Sequence, residues 1–75
     1  MEVKIMVNYE LIREKDQTIG YGIRACENNK TAIILHDVFL NYSDAKYCVE
    51  LFNKEQLELV HLEQVVEDFL RFGTV

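Results

Sequence analysis

Proline and tryptophan are missing from this 75-residue chain, while glycine occurs three times and cysteine twice. No apolar run approaches the roughly 20 residues of a membrane-spanning helix, and Met1-Glu2-Val3-Lys4 does not open a signal peptide; no membrane partner is expected. Two cysteines, Cys26 and Cys48, are too few for a disulfide scaffold. They read as buried or half-buried thiols in a reducing, cytoplasmic setting. Without proline, that class of helix breaker is gone, so a joint near residues 54–58 is free to be a bend rather than a loop. Basic residues are also scarce: 8 against 13 acids, a net charge of −5. An acidic surface repels phosphate backbones, so direct nucleic-acid binding is disfavoured, although solubility explains the excess equally well.

The acids are unevenly placed. Residues 1–40 hold six acids and five bases, a net of −1, whereas residues 41–75 hold seven acids and three bases, a net of −4. Hydrophobic residues make up 49% of the chain, enough for one domain spanning 1–75 to build a core, though a chain this short buries only about 60–65% of its unfolded surface.

The hydrophobic rhythm changes near Asn41. Before it, apolar residues recur at every second position. Val3, Ile5, Val7, Tyr9 and Leu11 alternate with polar neighbours, as do Ile19, Tyr21, Ile23 and Ala25 against Gly20, Gly22, Arg24 and Cys26, the pattern of strands with one wet face. A third strand runs from about Thr31 to Val38. Residues opposite each other in an antiparallel pair share a face, so joining the odd-numbered sets of the first two strands requires an odd connection, three or five residues around Lys15-Asp16-Gln17. A two-residue turn at Asn28-Asn29, where asparagine tolerates positive φ, pairs Ala25 with Ala32, Ile23 with Ile34 and Tyr21 with His36. That register puts Ile33, Leu35, Asp37 and Phe39 beside Gly20 and Gly22, on the face away from the helices.

After Asn41 the period becomes helical. Asn41 or Ser43 caps a first helix with an inward stripe of Ala45, Cys48, Val49 and Phe52, and Asp44 sits where the helix dipole favours an acid. A second helix runs from about Leu59 to Phe72, with Leu62, Val65, Val66, Phe69 and Leu70 on one side, Glu63, Glu67 and Asp68 on the other, and Gly73 as its stop. The fold class expected is α+β: a three-stranded antiparallel β-meander followed by two α-helices packed on one face, βββαα.

Motifs add little chemistry. Thr18-Ile19-Gly20-Tyr21-Gly22 matches a potassium-channel filter, which works only between membrane helices. Gly20-Tyr21-Gly22-Ile23-Arg24-Ala25 fits a loose dinucleotide pattern but lies on a strand rather than at a helix start. Cys26, Cys48, His36 and His61 lack metal-ligand spacing, and His61-Leu62-Glu63 lacks the cysteine motif of zinc deaminases. His61 reads as a capping or packing residue. No catalytic residue, cofactor or metal is expected. The two glycines leave a strip without side chains, suited to a bulge or to close approach of another chain.

Tyr9-Glu10-Leu11, Tyr21-Gly22-Ile23, Asp37-Val38, Leu51-Phe52-Asn53 and, above all, the run His61 to Leu70 resemble a family of short proteins from Gram-positive anaerobic bacteria, known only as a domain of unknown function. The resemblance spans Tyr9 to Leu70 and implies a bacterial cytoplasmic setting and this fold, but no activity. Val60 stands where that family favours proline, which makes the helix start at His61 less sharp.

The expected function is therefore a non-enzymatic interaction module that binds another protein, most simply a second copy as a homodimer. Its surface would be the open sheet face (Gly20, Gly22, Ile33, Leu35, Phe39) or the acidic helix (Glu63, Glu67, Asp68). The alternative is an acidic inhibitor or decoy whose carboxylates occupy a basic nucleic-acid-binding surface on a target.

Overall fold

The alternation of residues 7–11 does become a strand. The computed structural model describes residues 6–13 and 20–73, so the start of the first strand and the connection around residues 15–17 lie outside the described residues. Strand β1 spans Val7–Arg13, β2 Tyr21–Glu27 and β3 Lys30–Phe39, followed by helices α1, Tyr42–Glu55, and α2, Leu62–Phe72. The strands form one antiparallel sheet in the order β1-β2-β3. This is the expected α+β arrangement, three strands and then two helices.

In the β1–β2 pair, Tyr9 faces Ala25 and Leu11 faces Ile23. Every pair sums to an even number, as the matching of apolar sets requires. Tyr9, Ile23 and Ala25 are buried against α1, with Val7 and Leu11 packed beside them.

The β2–β3 pair begins as expected and then departs. Asn28 and Asn29 take φ of 52° and 68°, the two left-handed residues of a type I′ turn, and Glu27 pairs with Lys30. One extra residue then enters β3, so that Ala25 pairs with Ile33, Arg24 with Ile34 and Ile23 with Leu35. The expected partners Ala32, Ile34 and His36 are each displaced. Because side chains alternate, this one-residue bulge turns β3 over. Ile33 and Leu35 join the helix side, half-buried against the core, and Phe39 is 1% exposed within it. Their assignment to the open face is thereby corrected.

A second irregularity lies between Tyr21, paired with Phe39, and Ile23, paired with Leu35. Here Asp37 has φ of 58°. A Cβ on Gly20 would strike the Asp37 carboxylate and come within 3.0 Å of the Phe39 carbonyl oxygen. Gly20 thus lets a kinked β3 lie against the start of β2, the bulge role expected of the strip.

Helix α1 starts where the Asn41 Oδ1 accepts the Asp44 N–H at 3.1 Å. Ala45, Cys48 and Phe52 are buried and Val49 is half-buried. The helix ends at Gln56, which adopts φ of 52°, while the Leu57 N–H donates to the Phe52 carbonyl at 3.0 Å, a left-handed C-terminal motif. The joint near 54–58 is therefore a true break, not a bend. Leu59–His61 form a 3₁₀ turn before α2, so α2 itself begins three residues later than the hydrophobic pattern suggested. Gly73 closes it with φ of 75°. Leu62, Val66 and Phe69 are buried, but Leu70 is 52% exposed, at the rim of its stripe rather than inside it.

Candidate interaction surface

With Ile33, Leu35 and Phe39 removed from it, the open sheet face is polar at its centre. Glu10 and Arg24 are directly opposed across β1 and β2, and the Arg24 guanidinium Nη2 donates to both carboxylate oxygens at 2.8 and 2.9 Å. The Cys26 thiol lies 3.6 Å from the same carboxylate. The hydrogen bond from Arg24 holds the Glu10 carboxyl below its ordinary range, against an opposing effect of desolvation. Both side chains remain 42% exposed, so solvent screens the pair as it does other surface ion pairs. Ile34 is 42% exposed on the β3 edge of this face.

The acidic residues of α2 lie on the side of that helix away from its buried Leu62, Val66 and Phe69. Glu67 is engaged by Arg71 one turn away at 2.9 Å, Asp68 accepts from the Gln64 amide at 3.0 Å, and Glu63 is exposed in the first turn. Of the two surfaces expected as alternatives, the open sheet face is broken up, with the glycines at the bulge and the three large apolar residues toward the core, while the acids stay together on α2.

The two cysteines and His61 lie apart from one another. Cys48 is fully buried in the helix–sheet core, where desolvation first, and the nearby Asp44 charge second, push its thiol up to about 12. Cys26 is on the other side of the sheet, and both cysteines are free. His61 stands at the start of α2 but makes no side-chain capping bond and is exposed, which corrects its reading as a cap or packing residue. Among the described residues, no three histidine, cysteine or acidic side chains converge as metal ligands. A cleft of about 480 Å³ opens beside Met6, Asn28 and Gln56. Its amides hold the chain together: Asn28 accepts from the Met6 N–H, and Gln56 donates to the Asn53 carbonyl.

What periodicity did not reveal is an aromatic end. Phe39 meets Phe69 edge-on at 5.9 Å, and Phe69 stacks with Tyr47 at 5.9 Å. Tyr21, opposite Phe39 in the sheet, meets Tyr42 at 5.8 Å. Around these contacts Leu40, Tyr42, Tyr47, Leu70 and Phe72 are each at least half exposed. The only available signal was that Leu40 and Tyr42 flank the capping Asn41 and that Tyr47 falls outside the buried stripe of α1. No helix among the described residues is long and apolar enough to cross a membrane. No protein-family model, curated protein or solved structure matches the chain.

Proposed function

We propose that this chain is a non-enzymatic protein–protein interaction module, working in a reducing, cytoplasmic compartment, whose contact surface is the aromatic end. The observation that carries the reading is the half-exposed set Leu40, Tyr42, Tyr47, Leu70 and Phe72 around the Phe39–Phe69–Tyr47 ring contacts. Tyrosine and phenylalanine provide large contact area with few rotatable bonds, and such residues are enriched at the centres of protein interfaces. The partner that fits is a protein with an apolar groove rimmed by lysine or arginine, because residues 41–75, which supply four of the five exposed side chains of this end, carry a net −4. A second copy docking here would set two such acidic halves against each other.

The decoy reading puts the weight on Glu63, Glu67 and Asp68 instead. Glu67 and Asp68 are already engaged within α2, which favours the apolar surface. Salt separates the two readings, since exposed charge pairs are screened and apolar contacts are not. The test is quantitative capture of binding proteins by immobilised chain at low and high salt, using wild type, a Tyr47→Ser/Phe72→Ser variant and a Glu63→Gln/Glu67→Gln variant. Salt-resistant capture lost only in the first variant is expected. Capture released by salt and lost in the second variant would establish the decoy instead, and equal capture by all three proteins would dispose of both surfaces.

A further inference from the structure

The two margins of the sheet are treated differently, and the difference identifies a second interface. On β1, the Tyr9 N–H donates to the Asn53 Oδ1 at 2.8 Å, and the Asn53 Nδ2 donates back to the Tyr9 carbonyl at 2.9 Å. The Tyr9 backbone groups therefore point away from β2. Backbone groups alternate in direction along a strand, and in an antiparallel sheet they alternate between bonded and non-bonded pairs. Tyr9 opposite Ala25 is then a non-bonded pair, so Ala25 turns its N–H and C=O toward β3 and bonds with Ile33. It follows that Ile34, one residue on, turns its own N–H and C=O out of the sheet. The bond from the Asn28 N–H to the Met6 carbonyl, at 2.9 Å, agrees with this phase.

We propose that a second copy of the chain pairs with β3 edge to edge, antiparallel, about a twofold axis at Ile34, joining the two sheets into one of six strands. The register follows from parity. A twofold axis perpendicular to the sheet keeps each face continuous, so Ile34 meets Ile34 of the second copy through two backbone hydrogen bonds and a side-chain contact on the open face. On the helix face, Ile33 meets Leu35 of the second copy, twice. These two residues are half-buried against the core in the single chain, and pairing would cover what remains of them. Centring the axis on Ile33 instead would set Thr31 against Leu35.

Charge selects a second copy as the occupant. Within β3 the stretch from Lys30 to His36 contains no acid, in a chain of net charge −5, and the one acid of the strand, Asp37, falls opposite Thr31 of the second copy rather than another acid, so two copies approach here with little repulsion. The assembly also closes: with Tyr9 bonded to Asn53, growth at β1 is obstructed, and an isologous pair forms rather than a fibre. This interface is separate from the aromatic end and stands or falls independently of it.

Sedimentation of the full chain over a concentration series, combined with residue-resolved amide exchange, tests the pairing. A concentration-dependent dimer is expected, with Ile34→Lys weakening it on the order of tenfold by setting two lysines face to face at the axis. In the dimer the Ile34 amide exchanges slowly, while in the dilute monomer it exchanges fast; the Ile33 amide, bonded to β2, is slow in both. A chain that stays monomeric at every concentration overturns the proposal. So does a dimer indifferent to Ile34→Lys, or one whose Ile34 amide remains fast. A monomer with a slow Ile34 amide would place a segment of the same chain on this edge instead.

Discussion

The margins of this sheet differ in what lies beside them. Along β1, α1 supplies Phe52, whose ring meets Tyr9 edge-on at 5.6 Å, and Asn53, whose amide imitates a neighbouring strand by bonding both backbone groups of Tyr9. The Tyr9 hydroxyl completes the attachment by donating to the Leu57 carbonyl at 2.5 Å. Along β3, Ile33 and Leu35 are only half-buried and Ile34 is 42% exposed. One helix of 14 residues crosses the sheet near one side, and the far side is left thinly covered. An edge strand is a pairing site unless something blocks it; on β1 Asn53 does so at Tyr9, whereas β3 carries two register shifts that flank its regular stretch from Ile33 to Leu35.

The largest break in this contrast should come from Phe52→Ala. Phe52 is 1% exposed, and removing such a ring costs about 3–5 kcal/mol. Leu35→Ala, on the thinly covered side, should cost roughly 1–2 kcal/mol, since only part of its apolar area is buried. Urea unfolding of both variants checks the difference, and equal losses would mean that the β3 side is as firmly packed as the β1 side.

Asn53→Ala should come next, at about 2 kcal/mol, because it leaves the part-buried Tyr9 N–H and carbonyl unpaired. Tyr9 amide exchange should accelerate in the same variant. If that amide remains slow, the asparagine is not what protects β1.

Alkaline pH probes the covered side through Cys48 and Tyr9. Burial raises both pKa values in the folded state, that of Cys48 from 9.0 to about 12. The folded chain therefore keeps a proton that the unfolded chain has lost. Stability should be complete below about pH 9 and fall as pH rises toward about 12, by at most about 1.4 kcal/mol per pH unit for each group. Cys48→Ala should flatten the fall while leaving the Tyr9 contribution. An unchanged slope would show that the thiol does not take part.

The smallest effect should be a gain. Asn29 holds φ of 68° in a type I′ turn, a position that glycine adopts without steric strain. Asn29→Gly should stabilise the β2–β3 hairpin by a few tenths of a kcal/mol. A loss in thermal melting would show that the Asn29 side chain supports the turn.

Much of the architecture was readable before coordinates. Alternation along 7–11 and 21–25 placed β1 and β2, the even parity of their pairing followed from which residues had to be buried, and Asn28-Asn29, Asn41 and Gly73 marked a turn and two helix ends by their local chemistry. The proposed surface was readable only in part. Its error traces to one residue, the bulge between Cys26 and Ala25 in the β2–β3 register, which no local preference announces. Strand β3 is apolar at Ile33, Ile34 and Leu35 alike, so either face satisfied the pattern. The exposure of Leu70 escaped for a related reason: helical spacing shows which side chains share a stripe, but not how far the neighbouring surface extends beneath it.

Composition and periodicity alone determined the class of fold, the order of its elements and the sign of its charge, because these depend on side-chain spacing within a few residues. Only the tertiary structure decided which face of β3 met the helices, which edge α1 covered and which rings emerged at the surface. Those outcomes depend on burying Phe39 with Phe69 and fitting Asp37 against Gly20, contacts between residues distant in the chain that no local pattern encodes.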